Sequence, residues 1–374
     1  MPTNKHGITS ELLANEIFWR DHYDHILKHG YRLRSRYKPD WVPSWKYPSG
    51  QYTAEDSLGL AHPGGAVTNA WRCSDERPVV LKRVDDDELH ILQHLNSLPR
   101  IPENRTVPLL DTIHLSDKSE QRLAVMPMFG SFDLYPAFDR LGDLLQALRQ
   151  LMSGLDFMHK HRVAHRDACL FNFVTDKTHL VPSGFHFSAP IYAPDGKRWI
   201  KTRSRSTVHV EYYIIDFDLS LIDPQPGKHG RVGQDKGVPE WRQDSPHYDP
   251  YKLDMYQFGS MIQRYFIDSE FVYNAFAFES LQPFVAAMTA EDPAKRPTSA
   301  EALCMLEDLA ERCPHPHCKE IHWKYNIVRH LKDMHSQPDW RHILPNTQAF
   351  AISREEQLLL KEKFRLGFNA AVSG

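Results

Sequence analysis

Cysteine is scarce in this chain. The 374 residues hold five, Cys73, Cys169, Cys304, Cys313 and Cys318, too few and too unevenly spaced to frame a secreted disulfide scaffold. Long apolar runs are missing as well: eighteen consecutive apolar residues occur nowhere, and residues 1–16 show no basic start followed by an apolar stretch. The sequence therefore predicts neither membrane spanning nor export. Neither sign of charge prevails, with 45 Lys and Arg against 48 Asp and Glu for a net charge of -3. That balance excludes a chain coated for polyanion binding and confines any nucleic-acid contact to a local patch. Repeats and low-complexity tracts are also lacking. Together these absences predict an intracellular protein, cytoplasmic or nuclear, with no membrane partner.

What is present is ordinary globular material, 41% hydrophobic and 25% charged, enough for one two-lobed domain or two ordinary ones. Leu12, Leu13, Ile17, Phe18, Tyr23, Ile26 and Leu27 recur at helical spacing, with Thr9 or Ser10 as N-cap and Gly30 as a stop. They predict an amphipathic helix over 8–29. From 31 to 52, Pro39, Pro43, Pro48 and Gly50 stand among Trp41, Trp45 and Tyr47, the pattern of an irregular segment pinned by aromatics. Between 58 and 128, β-like runs at 78–82 and 121–125 surround one short helix at 85–98. Helical patterns then dominate from 141 to 309. A small sheet-rich part followed by a larger helical part predicts an α+β architecture of two lobes with a cleft between them.

The strongest motif is His165-Arg166-Asp167-Ala168-Cys169-Leu170-Phe171-Asn172, an H-R-D-x-x-x-x-N run placed directly after a long helical pattern. Four further motifs follow in order. Asp216-Phe217-Asp218 ends the apolar strand 212–215, and Val238-Pro239-Glu240 lies twenty-four residues past Asp216. Asp254 to Gly259 begins a helix, and Asp292 to Pro297 contains Arg296. From about Leu58 to Ala310 this order resembles the protein kinases. The resemblance implies a bilobal kinase-like fold that binds ATP and magnesium. It casts Asp167 as the base that accepts the proton of the attacking hydroxyl, with Asn172 and Asp216 as magnesium ligands. Arg296 would pair with Glu240. Lys82, closing the run 79–82, would clamp the phosphates with Glu88 as its ion-pair partner, although Asp85-x-x-Glu88 also reads as a capping box. Val67 stands fifteen residues before Lys82, where the family has its glycine-loop valine. Of the loop's glycines only Gly65 is kept, with Gly64 as a partial substitute. Met126, Pro127 and Phe129 would form the hinge beside the adenine. Residues around 16–23, 29–34, 39–45 and 234–240 resemble a large group of uncharacterised fungal kinase-like proteins.

Departures from that pattern leave a second reading open. Cys169 stands where a serine/threonine kinase has lysine, Asp218 replaces the glycine after Asp216-Phe217, and the glycine loop is degenerate. A pseudokinase scaffold that binds nucleotide weakly or not at all would carry the same marks. No Ser, Thr or Tyr occurs between Leu221 and Glu240, so activity is not expected to be switched by phosphorylation there. The stretch 173–215 is 43 residues long and contains the turn signal Asp195-Gly196 and the basic residues Lys197, Arg198, Lys201, Arg203 and Arg205. It reads as a solvated hairpin, or alternatively as a docking surface for an acidic partner.

Past the last expected helix, Cys313, Cys318, His330 and His335 have the C-x4-C-x11-H-x4-H spacing of a two-cysteine, two-histidine zinc finger, one residue short in the middle. His315, His317 and His322 are rival zinc ligands, and a metal-free loop is the other reading. The expected organisation is a lead-in over 1–55, an N-lobe and hinge over 56–130, and a C-lobe over 131–312 with its insertion at 173–215. A zinc finger over 313–336 and a tail with a surface helix over 337–374 complete it. The leading functional expectation is an ATP-dependent protein kinase acting on Ser or Thr of an unidentified protein substrate. Behind it stand the pseudokinase scaffold and, third, a protein or nucleic-acid binder led by the finger.

Overall fold

Alternation of side chains decides how the first half folds. In β3 (Pro78–Val84), Val79 and Leu81 are buried on one face while Val80 and Lys82 turn to the other, the period of two that a strand imposes. In this computed structural model, which describes residues 11–45, 54–60, 64–115, 121–224, 227–228, 233–235, 237–242, 247–268 and 275–312, the strand sits centrally in a five-stranded antiparallel sheet. The sheet comprises β1 (Tyr31–Leu33), β2 (Val67–Arg72), β3, β4 (Asp111–His114) and β5 (Arg122–Pro127), in the order β1-β2-β3-β5-β4. The runs predicted at 78–82 and 121–125 are β3 and β5.

The lead-in is more integrated than its composition suggested. The helix expected over 8–29 is, within the described residues, a short 3-10 turn followed by α1 (Ile17–Asp21) and α2 (Tyr23–Lys28), interrupted at His22. Gly30, at φ 87°, ends it as expected. Tyr31–Leu33, predicted as irregular, pairs antiparallel with β2, Tyr31 opposite Arg72. Its three residues are too few for a periodic signal. Trp19, Ile26, Tyr31 and Leu33 then join Val79, Leu81, Leu123 and Val125 in one buried cluster. Arg36 and Glu16 lie fully buried in that region. Both Glu16 oxygens accept from the guanidinium at 2.8 Å, and Oε1 also accepts from the Leu60 N–H.

The helix predicted at 85–98 is α3 (Asp86–Ser97), with Asp85 as N-cap. α4 (Leu141–Lys160) is buried along most of its length and packs against α7 (Ser299–Arg312). Between them in sequence come α5 (Pro250–Ile262) and α6 (Gln282–Met288). Short strands lie where the two halves meet. β6 (Gly130–Ser131), β8 (Phe173–Thr175) and β9 (Tyr212–Ile214) form a three-stranded sheet, and β7 (Val163–Ala164) pairs with β10 (Leu221–Ile222). The fold is thus mixed α+β, with a sheet-rich first half and a helix-rich second half. Among the described residues no helix is long and apolar enough to cross a membrane.

The stretch 173–215 corrects the expectation of a solvated hairpin. The Asp195-Gly196 turn forms, with Gly196 at φ 67° and Tyr192 bridged to Trp199. Its flanks, however, are buried, including Phe187, Ala189, Ile191 and Ile200. Arg205 does not face outward with the other basic residues. Its guanidinium donates to the carbonyls of Phe132 and Pro136 and to the Tyr212 hydroxyl, and lies 4.1 Å from the Phe138 ring centroid.

Burial would raise the Glu16 carboxyl, but the Arg36 guanidinium outweighs it and holds the group below the usual carboxylate range. With a depressed folded value, its contribution is present above about pH 4.5 and lost as the pH falls further. Glu16→Ala strands a buried guanidinium and should cost about 3–5 kcal/mol at neutral pH, read as a lowered urea midpoint. The gap between variant and wild type should narrow in acid.

Candidate functional site

The cavity between sheet and helices is built around one ammonium. Lys82, on the cleft face of β3, donates to Glu88 Oε1 at 2.7 Å and to the Asp216 carboxylate. Of the two readings of its motif Glu88 takes the ion pair: its carboxylate turns to Lys82, and only the N-cap half of the box forms, the Glu88 backbone N–H donating to Asp85 Oδ1 at 2.8 Å. One turn of helix thus supplies the cap from Asp85 and the ion pair from Glu88. Burial alone would lower the Lys82 ammonium, but the two carboxylates raise it above the ordinary lysine value. The Glu88 carboxyl is raised, by burial first and by the nearby charges of Asp216 and Asp218, against the pull of Lys82.

Asp216 follows β9 at φ 68°, in the left-handed region. Phe217 beyond it is fully buried against the His165 ring and donates its N–H to Glu88 Oε1 at 3.3 Å. His165 in turn bonds the Ile215 carbonyl through Nε2 at 3.0 Å. Beneath lies the loop 165–172, which has no regular ladder of its own and is held from α5. Asp254 accepts from the N–H groups of His165 and Arg166 at 2.8 and 2.6 Å, and Gln257 bridges the Ala168 N–H and the Arg166 carbonyl. Both partners are buried, so these three N–H groups and the Arg166 carbonyl are satisfied without water. Farther out, Arg296 pairs with Glu240, both almost fully buried, as their motifs predicted.

Lys82, Glu88, Asn172 and Asp216 all line a single cavity of about 270 Å³. Val67, Met126, Pro127 and Phe129 line it too, together with Val80, Phe171, Val174, Ile215 and Phe187. Asp218 joins the polar end, its carboxyl raised by burial and by Asp216. The cavity is apolar at one end and carries a cation with carboxylate and amide oxygens at the other, a form suited to a planar group bearing a polyanion and a hard divalent cation. Among the described residues no group of three or more His, Cys, Asp and Glu forms a metal cluster. The proposed zinc ligands Cys313, Cys318, His330 and His335 lie outside the described residues, as does the tail helix.

No family model matches the chain.

Two proposed residues fall elsewhere. Gly65 does not line the cavity. Its carbonyl accepts from Trp19 Nε1 at 2.9 Å, and at φ 65° a Cβ would fall 2.4 Å from the Asn15 carbonyl oxygen. The close approach that requires glycine here is to the lead-in. Asp167 is buried beside the cavity rather than lining it. It is linked to Asn172, whose Nδ2 donates to its backbone carbonyl at 2.9 Å and to Oδ2 at 3.0 Å. Its Oδ1 accepts from the Gln234 N–H at 2.8 Å, and a Cβ added to Gly233 would meet that same oxygen. Burial raises the Asp167 carboxyl, against the lowering effect of these hydrogen bonds. Cys169 is buried and its thiol lies well above the ordinary value, so it is no thiolate at neutral pH. The apolar wall from 173–215 escaped sequence reasoning, because Phe187 has no motif around it.

Removing the ammonium leaves two buried carboxylates facing one another. Lys82→Met should therefore be destabilised more at pH 8 than at pH 5.5, since Glu88 with a raised folded value takes up a proton as the pH falls and relieves the repulsion. Urea unfolding at the two pH values, set against wild type, measures the difference.

Proposed function

We propose that the chain is an ATP-dependent protein kinase of bilobal kinase-like fold, transferring a phosphoryl group from ATP with magnesium to a Ser or Thr hydroxyl of a protein. The convergence of Lys82, Glu88, Asn172 and Asp216 on one cavity carries this reading. Four side chains scattered from position 82 to 216 line one cavity, and a lysine with carboxylate and amide oxygens is the set that a magnesium-bound polyphosphate would call for. Lys82, held by Glu88, would neutralise the α and β phosphates. Asn172 and Asp216 would hold magnesium: both Asn172 bonds to Asp167 are made by its Nδ2, so its Oδ1 could serve as the ligand atom. The apolar walls from Val67, Val80 and Val174 suit adenine, with the backbone of Pro127 and Phe129 beside its edge. Magnesium supplies charge neutralisation between the phosphates when bound.

Asp167 would take the proton of the incoming hydroxyl. In its present position that carboxylate is covered by Gly233 and Gln234, so the segment carrying them must move aside before a substrate hydroxyl can reach it. Arg166, the residue that receives an activation-segment phosphate in many kinases, is here bonded to the Tyr248 hydroxyl at 2.9 Å and to the Leu219 carbonyl. That engagement agrees with a segment lacking hydroxyl acceptors over 221–240. The covered base, Cys169 and Asp218 favour the second reading, a pseudokinase that binds nucleotide without transfer.

Thermal denaturation with ATP and magnesium, together and singly, tests the binding claim: the midpoint should rise when both are present. Labelled-phosphate transfer to a mixed protein substrate, with Asp167→Ala as control, tests catalysis. Loss of transfer in the variant, at about 10²-fold or more, with nucleotide binding kept, is the expected outcome. Equal labelling by wild type and variant would remove the enzyme claim and leave the scaffold.

A further inference from the structure

Three aromatic side chains line the cleft, and two are held by other rings. Phe129 is stacked on Tyr213 with 4.6 Å between centroids, and Phe171 meets Tyr265 edge-on at 6.1 Å. Phe187 differs. It is delivered by the stretch 173–215 and packs against aliphatic Val67, with Ala66, Val80 and Met128 around it. Val67 and Val80 are apolar side chains that β2 and β3 present to the cavity, so the Phe187 ring extends that apolar surface with a side chain from a distant part of the chain.

The ring is positioned from outside the cavity. Its neighbour His186 is buried, with Nε2 bonded to Glu55 Oε1 at 3.1 Å, and Arg34 Nε donates to the same Glu55 oxygen at 2.6 Å. Arg34 Nη2 also holds the carbonyls of Glu55 and Leu58 at 2.9 and 2.7 Å. The turn at Gly196 seats on the same place, close enough that a Cβ there would lie 3.2 Å from both Glu55 Cα and Leu58 Cδ1. Two separate contacts therefore tie the insertion to residues 55–58, at the end of the lead-in, with Phe187 directly next to one of them.

Building on the nucleotide reading of the cleft, we infer that Phe187 is a base-contacting residue and that the insertion is the outer wall of the nucleotide site, with His186, Glu55 and Arg34 as its positioning residues. A planar base lying between the β2 and β3 valines and the floor at Val174 meets the Phe187 ring, while the phosphates extend toward Lys82 and Asp216. The wall therefore recognises the base and not the polyphosphate. An aromatic surface favours flat heteroaromatic groups through stacking and edge contacts whatever hydrogen bonds the hinge makes.

Calorimetric titration of the full chain with magnesium-ATP and, separately, magnesium-tripolyphosphate separates the outcomes. Phe187→Ala should weaken ATP about tenfold and leave tripolyphosphate within about twofold. Phe187→Leu, which fills the space without a ring, should show a smaller loss of the same selectivity, and Phe187→Tyr should retain binding. Glu55→Ala, which loosens the tether without touching the cavity, should also weaken ATP selectively. Equal weakening toward both ligands in Phe187→Ala and Phe187→Leu would mean the residue is merely structural and would overturn the inference. Unchanged or tighter ATP binding would do the same. Should wild type bind neither ligand, the nucleotide reading itself falls and takes this inference with it. ATP binding by wild type with an indifferent Phe187→Ala removes this inference alone.

Discussion

Lys82 is shared by two carboxylates that reach it from α3 and from the segment after β9, and all three groups are largely shielded from water. An ammonium so placed loses hydration that only close carboxylates can restore, so the sheet, α3 and the 212–218 segment must arrive together or not at all. Glu88 lies six residues from Lys82, and the cap at Asp85 decides where α3 begins, and hence where that carboxylate sits. The geometry of the polar end of the cleft thus descends from one helix start and one strand end.

The second half solves a different problem. The loop 165–172 must present polar side chains without a ladder to support its backbone, and α5 supplies the missing partners through Asp254 and Gln257. Asp254 also bonds His159 at 2.8 Å, tying the end of α4 to the same carboxylate. A buried side chain used in this way behaves as a rigid extension of its helix, since its own rotamer is fixed by several partners at once. Arg296 and Glu240 repeat the device at the periphery.

Much of this is legible in the sequence. β3, β5 and α3 appear where periodicity and capping placed them, because their signals are local. Lys82, Glu88, Asn172 and Asp216 were nameable from motif order, and they do share a cavity. What could not be read depends on contacts distant in sequence. Tyr31–Leu33 is too short to show alternation, and only pairing with β2 makes it a strand. Gly65 was expected to face a ligand because glycine permits close approach, yet the sequence does not say which neighbour approaches; the neighbour is Asn15. Phe187 looked like one more residue of a polar insertion, and its burial follows from tethers to Glu55 and Leu58 that lie well over a hundred residues away.

The lead-in's place in the sheet bears on where the chain can be divided. β1 covers the free edge of β2, and Trp19 grips the turn at Gly65 that leads into that strand. Cutting at the boundary near residue 56 that composition suggested would uncover a row of unpaired backbone amides and carbonyls along β2 and strip the apolar face of Val79 and Leu81. Exposed strand edges recruit other chains. A fragment trimmed to the motif-bearing region alone would therefore be prone to self-association, and the smallest unit worth expressing begins ahead of Ala14, not after Glu55.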